Sequence, residues 1–185
     1  MGPRKAAVAS DGRVFLCDAS TNNAGIYLMN PETFDISSIF TGATNSNGSL
    51  MIGGKYVCGQ ITAVGIRGEG ATTQLYAIDK TASGLSWKKF INVYNIGESN
   101  TWTTAPNESK AANSYVGNDN SSIVPVSTGY WAAQYRGGGS NSPANPCMFY
   151  YSDQYQDAVF NTAEPNIIGE SSQNGALAVN EKEQL

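Results

Sequence analysis

Two arginines stand beside clusters of glycine, a combination that is able to bind an anion. Arg67 lies in the run GIRGEG at residues 65–70, and Arg136 is followed directly by three glycines. Backbone N–H groups of such segments, together with a guanidinium, can hold a carboxylate or a phosphate. Neither segment has the glycine order of a dinucleotide site or the Lys-Ser/Thr of a phosphate-binding loop. Turns or bulges between strands are therefore the simpler interpretation of both segments.

A second candidate for chemistry is the oxygen-rich segment at residues 18–23, which spaces side-chain oxygens like the first half of a calcium loop. Asn23 stands where such a loop needs glycine, and Met29 stands where it needs glutamate. The favoured interpretation is a loop whose side chains hydrogen-bond their own backbone. The same interpretation applies to residues 118–120, so the sequence predicts no metal site.

Residues 130–155, with Trp102 before them, form an aromatic-rich stretch that also contains amides and carboxylates. Sugars are commonly held by this combination, through stacking on the ring and hydrogen bonds to the amide. Because alternate strand residues point to opposite faces, most of the rings are expected to fill space between sheets. Trp102 lies in a polar loop and is the better surface candidate. The predicted ligand-binding residues are Trp102, Trp131, Tyr130, Arg67 and Arg136.

The chain contains no histidine, which removes the commonest general base and the Ser-His-Asp triad. No G-x-S-x-G segment is present, and the acidic residues are scattered singly. Asp153 and Asp157 are close in sequence, but that spacing does not make a glycosidase pair. The sequence therefore predicts no catalytic residue and no cofactor.

Composition favours an all-β protein with polar loops. Charged residues make up 14% of the 185 residues and the net charge is −4, so no basic stripe is available for nucleic acid. No run approaches the ~20 apolar residues of a membrane span, and the first residues lack the apolar core of a signal peptide. If the protein is secreted, its signal has been removed or lies upstream. The three cysteines are far apart and are expected to be small buried strand residues, with a disulfide between two of them left open.

Apolar runs bounded by turn residues predict a succession of strands. The run at 87–96 alternates in a way that favours an outer strand with one wet face. Residues 97–110 are predicted as a loop or short linker, and residues 75–79 repeat the pattern of residues 26–30. The predicted strands cover residues 6–9, 14–17, 26–29, 34–41, 50–52, 56–58, 61–66, 75–79, 87–96, 123–126, 130–135, 147–151, 158–162 and 176–179.

Four of these strands are built from small residues and recur at a nearly constant interval. Val8, Val64, Val124 and Val179 are separated by 56, 60 and 55 residues, a little longer than known propeller blades. Small side chains suit the crowded inner strand of a blade. The predicted fold is therefore all-β, with about three blades and the start of a fourth of a β-propeller, as repeats 5–58, 59–117, 118–170 and a partial 171–185. Three blades do not close a ring, so the chain is expected to be an incomplete part of a larger propeller, and assembly with a second copy is the alternative.

Two neighbouring segments resemble a known family: DGRVFLCD at residues 11–18 and GIYLMNPET at residues 25–33. Together they resemble the pattern DG-x-V-Y-V-x-D … V-x-V-x-D-P-x-T of NHL-like and YVTN-like propellers of bacterial cell-surface proteins. The likeness covers about one blade closely and a second only through residues 75–79. It implies a binding or scaffolding domain within a larger secreted or surface-anchored protein, and it transfers no catalytic residue.

Three functional hypotheses follow from these observations. The first is a non-enzymatic binding segment of a secreted, cell-surface or periplasmic protein, with a glycan or another protein as its partner. The second is part of a propeller enzyme, a lyase or hydrolase, whose catalytic residues lie mostly outside this chain. The third is a structural scaffold that carries neighbouring domains.

Overall fold

The computed structural model describes residues 3–20, 22–40, 43–44, 50–52, 55–79, 89–102, 106–112, 122–133, 148–153 and 178–183. Within these ranges the chain forms antiparallel sheets, with a single 3₁₀ turn at Gly70–Thr72. Over the same ranges no helix has the length and apolar character needed to cross a membrane. The all-β class predicted from the sequence is thus confirmed, whereas the propeller stays a prediction.

The first sheet is a four-stranded meander in which each strand pairs with the next in chain order. The turn between its first two strands is the predicted Asp11-Gly12 turn. Gly12 adopts a φ of 87° and donates its N–H to Ala9 O at 3.0 Å, so glycine suits this position. The strands are β1 (Pro3–Val8), β2 (Val14–Asp18), β3 (Gly25–Met29) and β4 (Ile36–Ser38).

Three further meanders follow along the chain. The small sheet contains β5 (Ala43–Thr44), β6 (Leu50–Ile52) and β7 (Lys55–Cys58). The second sheet contains β8 (Ile61–Arg67), β9 (Gln74–Asp79), β10 (Lys89–Asn95) and β11 (Glu108–Ala112). The third sheet contains β12 (Ser122–Val126), β13 (Gly129–Ala133) and β14 (Met148–Ser152).

The first, second and third sheets stack face to face, with the second in the middle. Their leading strands lie side by side, because β8 contacts both β1 and β12. The first core lies mainly between the first and second sheets and consists of Ala9, Phe15, Cys17, Ile26, Ile39, Phe40, Val57, Cys58, Ile61, Val64, Leu75, Ala77, Tyr94 and Ile96. The second core lies between the second and third sheets and consists of Ala63, Tyr76, Ile78, Ile91, Val93, Ile123, Tyr130 and Ala132.

Side chains alternate between the two faces of the second sheet, so that its strands contribute residues to both cores. In β9, Leu75 and Ala77 belong to the first core, whereas Tyr76 and Ile78 belong to the second. The outer strand with one wet face predicted at residues 87–96 is wrong, because β10 is the third of four strands and residues 91–94 are all buried. Its alternation separates two covered faces, and the polar Asn92 is buried as well.

The structure refines three other sequence expectations. Residues 74–79 form the second strand of their sheet, so their structural counterpart is Val14–Asp18 and not residues 26–30. Strand β11 (Glu108–Ala112) begins within the stretch 97–110 predicted as a loop and extends two residues beyond it, since its small and charged residues carry no strand signal. Ala178 and Val179, expected to open a fourth repeat, lie outside any strand. The strand predicted at residues 158–162 falls outside the described residues.

Two of the cysteines match the expectation of small buried side chains in strands. Cys17 in β2 and Cys58 in β7 are both fully buried and are free thiols. Cys147 lies outside the described residues.

The second and third sheets approach each other closely at Gly65, which allows a stability test. A Cβ atom added there would meet Pro125 Cδ at 2.5 Å and Ile123 O at 2.8 Å. We expect Gly65→Ala to lower the free energy of unfolding by about 2–3 kcal/mol, as overpacking forces the two sheets apart. Gly12→Ala is the control, because its Cβ meets no atom and only the backbone is strained, at about 1–2 kcal/mol. Urea unfolding measures both, and a smaller loss at Gly65 than at Gly12 would contradict the packing.

Candidate functional site

Arg13, at the start of the first sheet's second strand, reaches across to the second sheet. Its Nη2 donates to Gly97 O at 2.5 Å and its Nη1 donates to Ser99 O at 2.6 Å, both in the loop after β10. The Nε donates to Asp11 Oδ2 at 2.8 Å, and the guanidinium carbon lies 5.5 Å from the centre of the Phe15 ring. The nearby guanidinium lowers the pKa of the Asp11 carboxyl. One side chain thereby ties two sheets together at their edge.

Arg67, a predicted ligand-binding residue, likewise connects two sheets, the second and the third. Its Nη1 donates to Val126 O at 3.0 Å and to Asp153 Oδ2 at 2.6 Å, both in the third sheet's region. Its Nε and Nη2 donate to Gln74 Oε1 at 3.0 and 2.7 Å. The guanidinium carbon lies 5.1 Å from the centre of the Tyr76 ring. Four donor contacts are thus made within the chain.

The two arginines form a repeated device that sequence reasoning missed. They are 54 residues apart, close to the interval of the small-residue strands. Each stands over an aromatic ring of its own sheet and donates to the main chain of the next: Arg13 to two oxygens in the loop after β10, and Arg67 to Val126 O in β12. A search for charged residues that recur at the interval of the small-residue strands would have paired Arg13 with Arg67.

A polar cleft of about 890 Å³ opens beside Arg67, where the second and third sheets meet. We call it the Arg67 cleft. Its lining supplies amides, hydroxyls and a carboxylate that are drawn from both sheets and from the segment at 178–183. The polar groups that line it are Arg67, Thr72, Gln74, Asn95, Ser127 and Glu183.

Hydrogen bonds within the chain orient several of these groups. Gln74 Nε2 donates to Asn95 Oδ1 at 2.9 Å, which fixes both amides. Glu183 accepts from Ser127 N and from Ser127 Oγ, each at 2.6 Å. Glu183 has a φ of 57°, a conformation uncommon outside glycine, asparagine and aspartate. The carboxylate of Glu183 therefore closes one wall of the cleft in a specific orientation.

A smaller cleft of about 580 Å³ lies beside Arg13, and we call it the Arg13 cleft. Its polar rim contains Asp11, Glu32, Asp35 and Asn100, while Leu28, Met29 and Ile36 contribute apolar surface. The two clefts lie at related positions, each next to an arginine that crosses between neighbouring sheets.

The predicted aromatic residues are distributed over three environments and do not form one site. Tyr130 is buried in the second core, with its ring centre 5.5 Å from that of Tyr76. Trp131 is half-buried on the other face of the third sheet, 5.1 Å from the ring of Tyr150. Arg136 lies outside the described residues. Neither Tyr130 nor Trp131 lines the Arg67 cleft.

Trp102, expected to be the surface candidate, packs against the first core. Its backbone N–H donates to Ile39 O at 2.6 Å, and its ring meets Tyr94 edge-on at 5.8 Å. The indole N–H is shielded from solvent and has no hydrogen-bond partner. The side chain thus anchors the loop between β10 and β11 against the first core.

The oxygen-rich segment at residues 18–23 behaves as the simpler interpretation predicted. Asp18 Oδ1 accepts from Ser20 N at 2.7 Å, and Ser20 Oγ accepts from Asn23 N at 3.2 Å. Across the part of the chain that the structure describes, no three acidic or cysteine residues gather in a way that would hold a metal ion. Residues 118–120 lie outside that part.

A buried polar cluster, which the sequence did not reveal, joins the far ends of the second and small sheets. Asp79 Oδ2 accepts from Gly59 N at 2.8 Å and from Asn92 Nδ2 at 3.3 Å. The Tyr94 hydroxyl donates to Val57 O at 2.8 Å. Asp79, Asn92 and Tyr94 are fully buried. Burial raises the pKa of the Cys58 thiol and of the Tyr94 hydroxyl well above their ordinary values, and the negative charge of Asp79 adds to both shifts.

Comparison with known proteins adds no identity to this geometry. No protein-family model, no curated protein and no solved structure matches the chain.

The Arg67 contacts predict that lysine cannot replace arginine at this position. We expect Arg67→Lys to lower the free energy of unfolding by about 1–3 kcal/mol, because an ammonium lacks the planar fork that reaches Gln74, Val126 and Asp153 together. Urea unfolding measures the loss. The exposed Lys182 supplies the control, with Lys182→Ala expected to stay within about 0.5 kcal/mol. Wild-type stability of Arg67→Lys would show that the contacts are dispensable.

The buried thiol and phenol predict that stability falls at alkaline pH. Because both groups stay protonated in the folded state, the unfolded state loses protons first, from about pH 8.5 for cysteine and about pH 10 for tyrosine. Stability is therefore retained below these values and decreases above them, by about 1.4 kcal/mol per pH unit for each group. Urea unfolding from pH 7 to 11 measures the slope.

Two substitutions assign the slope to its groups. Cys58→Ala should flatten the part of the curve that begins near pH 8.5, and Tyr94→Phe should flatten the part that begins near pH 10. An unchanged slope in both variants would contradict the burial of these groups as the cause.

Proposed function

We propose that this chain is a non-enzymatic β-propeller segment of a secreted or cell-surface bacterial protein, and that it binds carbohydrate in the Arg67 cleft. The propeller part is supported by three meanders that stack face to face with their leading strands side by side. The cellular location is supported by the resemblance of residues 11–33 to surface-protein propellers and by the low charge of the chain.

The polar cleft is the observation that carries the ligand class. Its volume of about 890 Å³ falls within the range of small-molecule sites. Sugar hydroxyls both donate and accept, so they are matched by a wall of amides, hydroxyls and a carboxylate. Gln74, Asn95, Ser127 and Glu183 provide these groups in orientations fixed by contacts within the chain. Arg67 lines the cleft, and its ion pair with Asp153 and its stacking on Tyr76 keep it in place.

A glycan array probed with the whole chain tests the proposal, followed by calorimetric titration of the sugars that bind. We expect Asn95→Ala to weaken binding about tenfold, since it removes an amide from the cleft wall. Asn100→Ala is the matched control, because Asn100 is an exposed amide at the Arg13 cleft. Equal losses in both variants, or no binding anywhere on the array, would contradict carbohydrate binding in the Arg67 cleft.

Two further readouts separate this proposal from its alternatives. A loss of binding in Trp131→Ala, with Asn95→Ala unaffected, would move the ligand to the aromatic face of the third sheet. New reducing or unsaturated sugar ends during incubation would show instead a lyase or hydrolase.

A further inference from the structure

The outer face of the first sheet carries two largely apolar rows that cross all four strands, and the one carboxylate beside them on β2, Asp18, is buried. In the antiparallel register, paired residues point to the same side and form two rows that cross the sheet. Val8 is 65% exposed and Ile36 is 44% exposed. Neither row contains a charged residue. One row is Val8, Val14, Met29 and Ile36, and the other is Ala6, Leu16, Tyr27 and Ser38.

The opposite face of the same sheet carries Phe15, Cys17 and Ile26 into the first core. The first sheet is therefore apolar on both faces, in contrast to an antiparallel sheet with one solvated face. An apolar sheet face that remains open marks a surface for another protein element. The second sheet is also apolar on both faces, and there each face is covered by a neighbouring sheet.

The far end of the stack presents a second apolar face of different composition. Val124, Trp131 and Tyr150 are paired across the third sheet and lie on one side, with all three half-buried. Ile123 and Ala132, one residue away on their strands, point into the second core. The stack of three sheets thus ends in an aromatic face on one side and an aliphatic face on the other.

These two faces continue the interfaces that already exist within the chain. Each internal interface places the face of one sheet on the face of the next, with the leading strands adjacent. We propose that a second copy of this chain docks head to tail, with the Trp131 face of one copy covering the Val8 face of the other. Because the two faces differ, each contact is head to tail, and a two-fold rotation closes two copies into a ring in which the same contact is made twice. Three stacked sheets from each of two copies fall within the four to eight blades of closed propellers.

The inference rests on the propeller architecture proposed above and not on its ligand. Failure of the glycan experiment would leave it untouched, and failure of the association would leave the cleft available. The two proposals therefore fail separately.

Light scattering on the eluting protein tests the association between about 1 μM and about 1 mM, a range that covers interfaces of ordinary strength. The expected mass is twice the 19.6 kDa of the chain. A monomer throughout this range would overturn the proposal and leave the faces to further sheets of a longer protein.

Val8→Glu places a charge on the most exposed aliphatic side chain of this face, at its β1 edge, and should raise the dimer dissociation constant about 30-fold or more. The exposed position of Val8 leaves the fold intact, which circular dichroism and thermal melting verify. Ser10→Glu is the control, since it puts the same charge into the exposed turn two residues later. A dimer that survives Val8→Glu, or that Ser10→Glu breaks equally, would overturn the proposed surface.

A mixing experiment tests the head-to-tail arrangement. Val124→Glu blocks the aromatic face, and it should also give a monomer on its own. A mixture of Val8→Glu and Val124→Glu retains one intact interface, and should therefore form a heterodimer that neither variant forms alone. If Val124→Glu does not fold, Trp131→Ala replaces it in the mixture with Val8→Glu. No heterodimer in either mixture would overturn the heterologous contact.

Discussion

The close approach of β8 to its two neighbours is the constraint on which the rest of the structure depends. Gly65 leaves no room for a side chain against Pro125 and Ile123, and β8 contacts β1 on its other side. Once these leading strands are adjacent, the second sheet is covered on both faces, and alternation divides its residues between two cores. Small residues such as Gly65 therefore allow the neighbouring strands to approach β8, while the larger Tyr76 and Tyr94 fill the two cores.

Polar contacts add specificity at both ends of the strands of the second sheet. At one end Arg13 and Arg67 cross from sheet to sheet over aromatic rings, and the clefts lie beside them. At the other end Asp79 is hydrogen-bonded to the backbone N–H that follows Cys58, so the small sheet is held against the second. Buried polar groups are costly unless they are paired, and these contacts penalise any sliding of one sheet along another.

Sequence reasoning recovered the all-β class and most strands, because strand signals are local. Asp11-Gly12, the apolar runs and the recurring small residues each report on a few neighbours in the chain. The burial of both faces of β10 was missed, because one strand's alternation does not reveal whether a second sheet covers its polar side. β11 was missed since its residues have low strand propensity and are held by pairing with β10. The cleft around Arg67 was predictable only as an arginine next to glycine, since its partners Val126 and Asp153 lie 59 and 86 residues away.

The two crossing arginines have a consequence for how the chain can change over time. Arg13 donates to the main-chain oxygens of Gly97 and Ser99, and Arg67 donates to that of Val126. A carbonyl group is present whatever residue occupies the position, so these attachments do not depend on the side chains that receive them. The loops beside both clefts are therefore free to diversify in sequence while the sheets stay joined. The residues that line the two clefts can therefore change while the packing of the sheets stays the same.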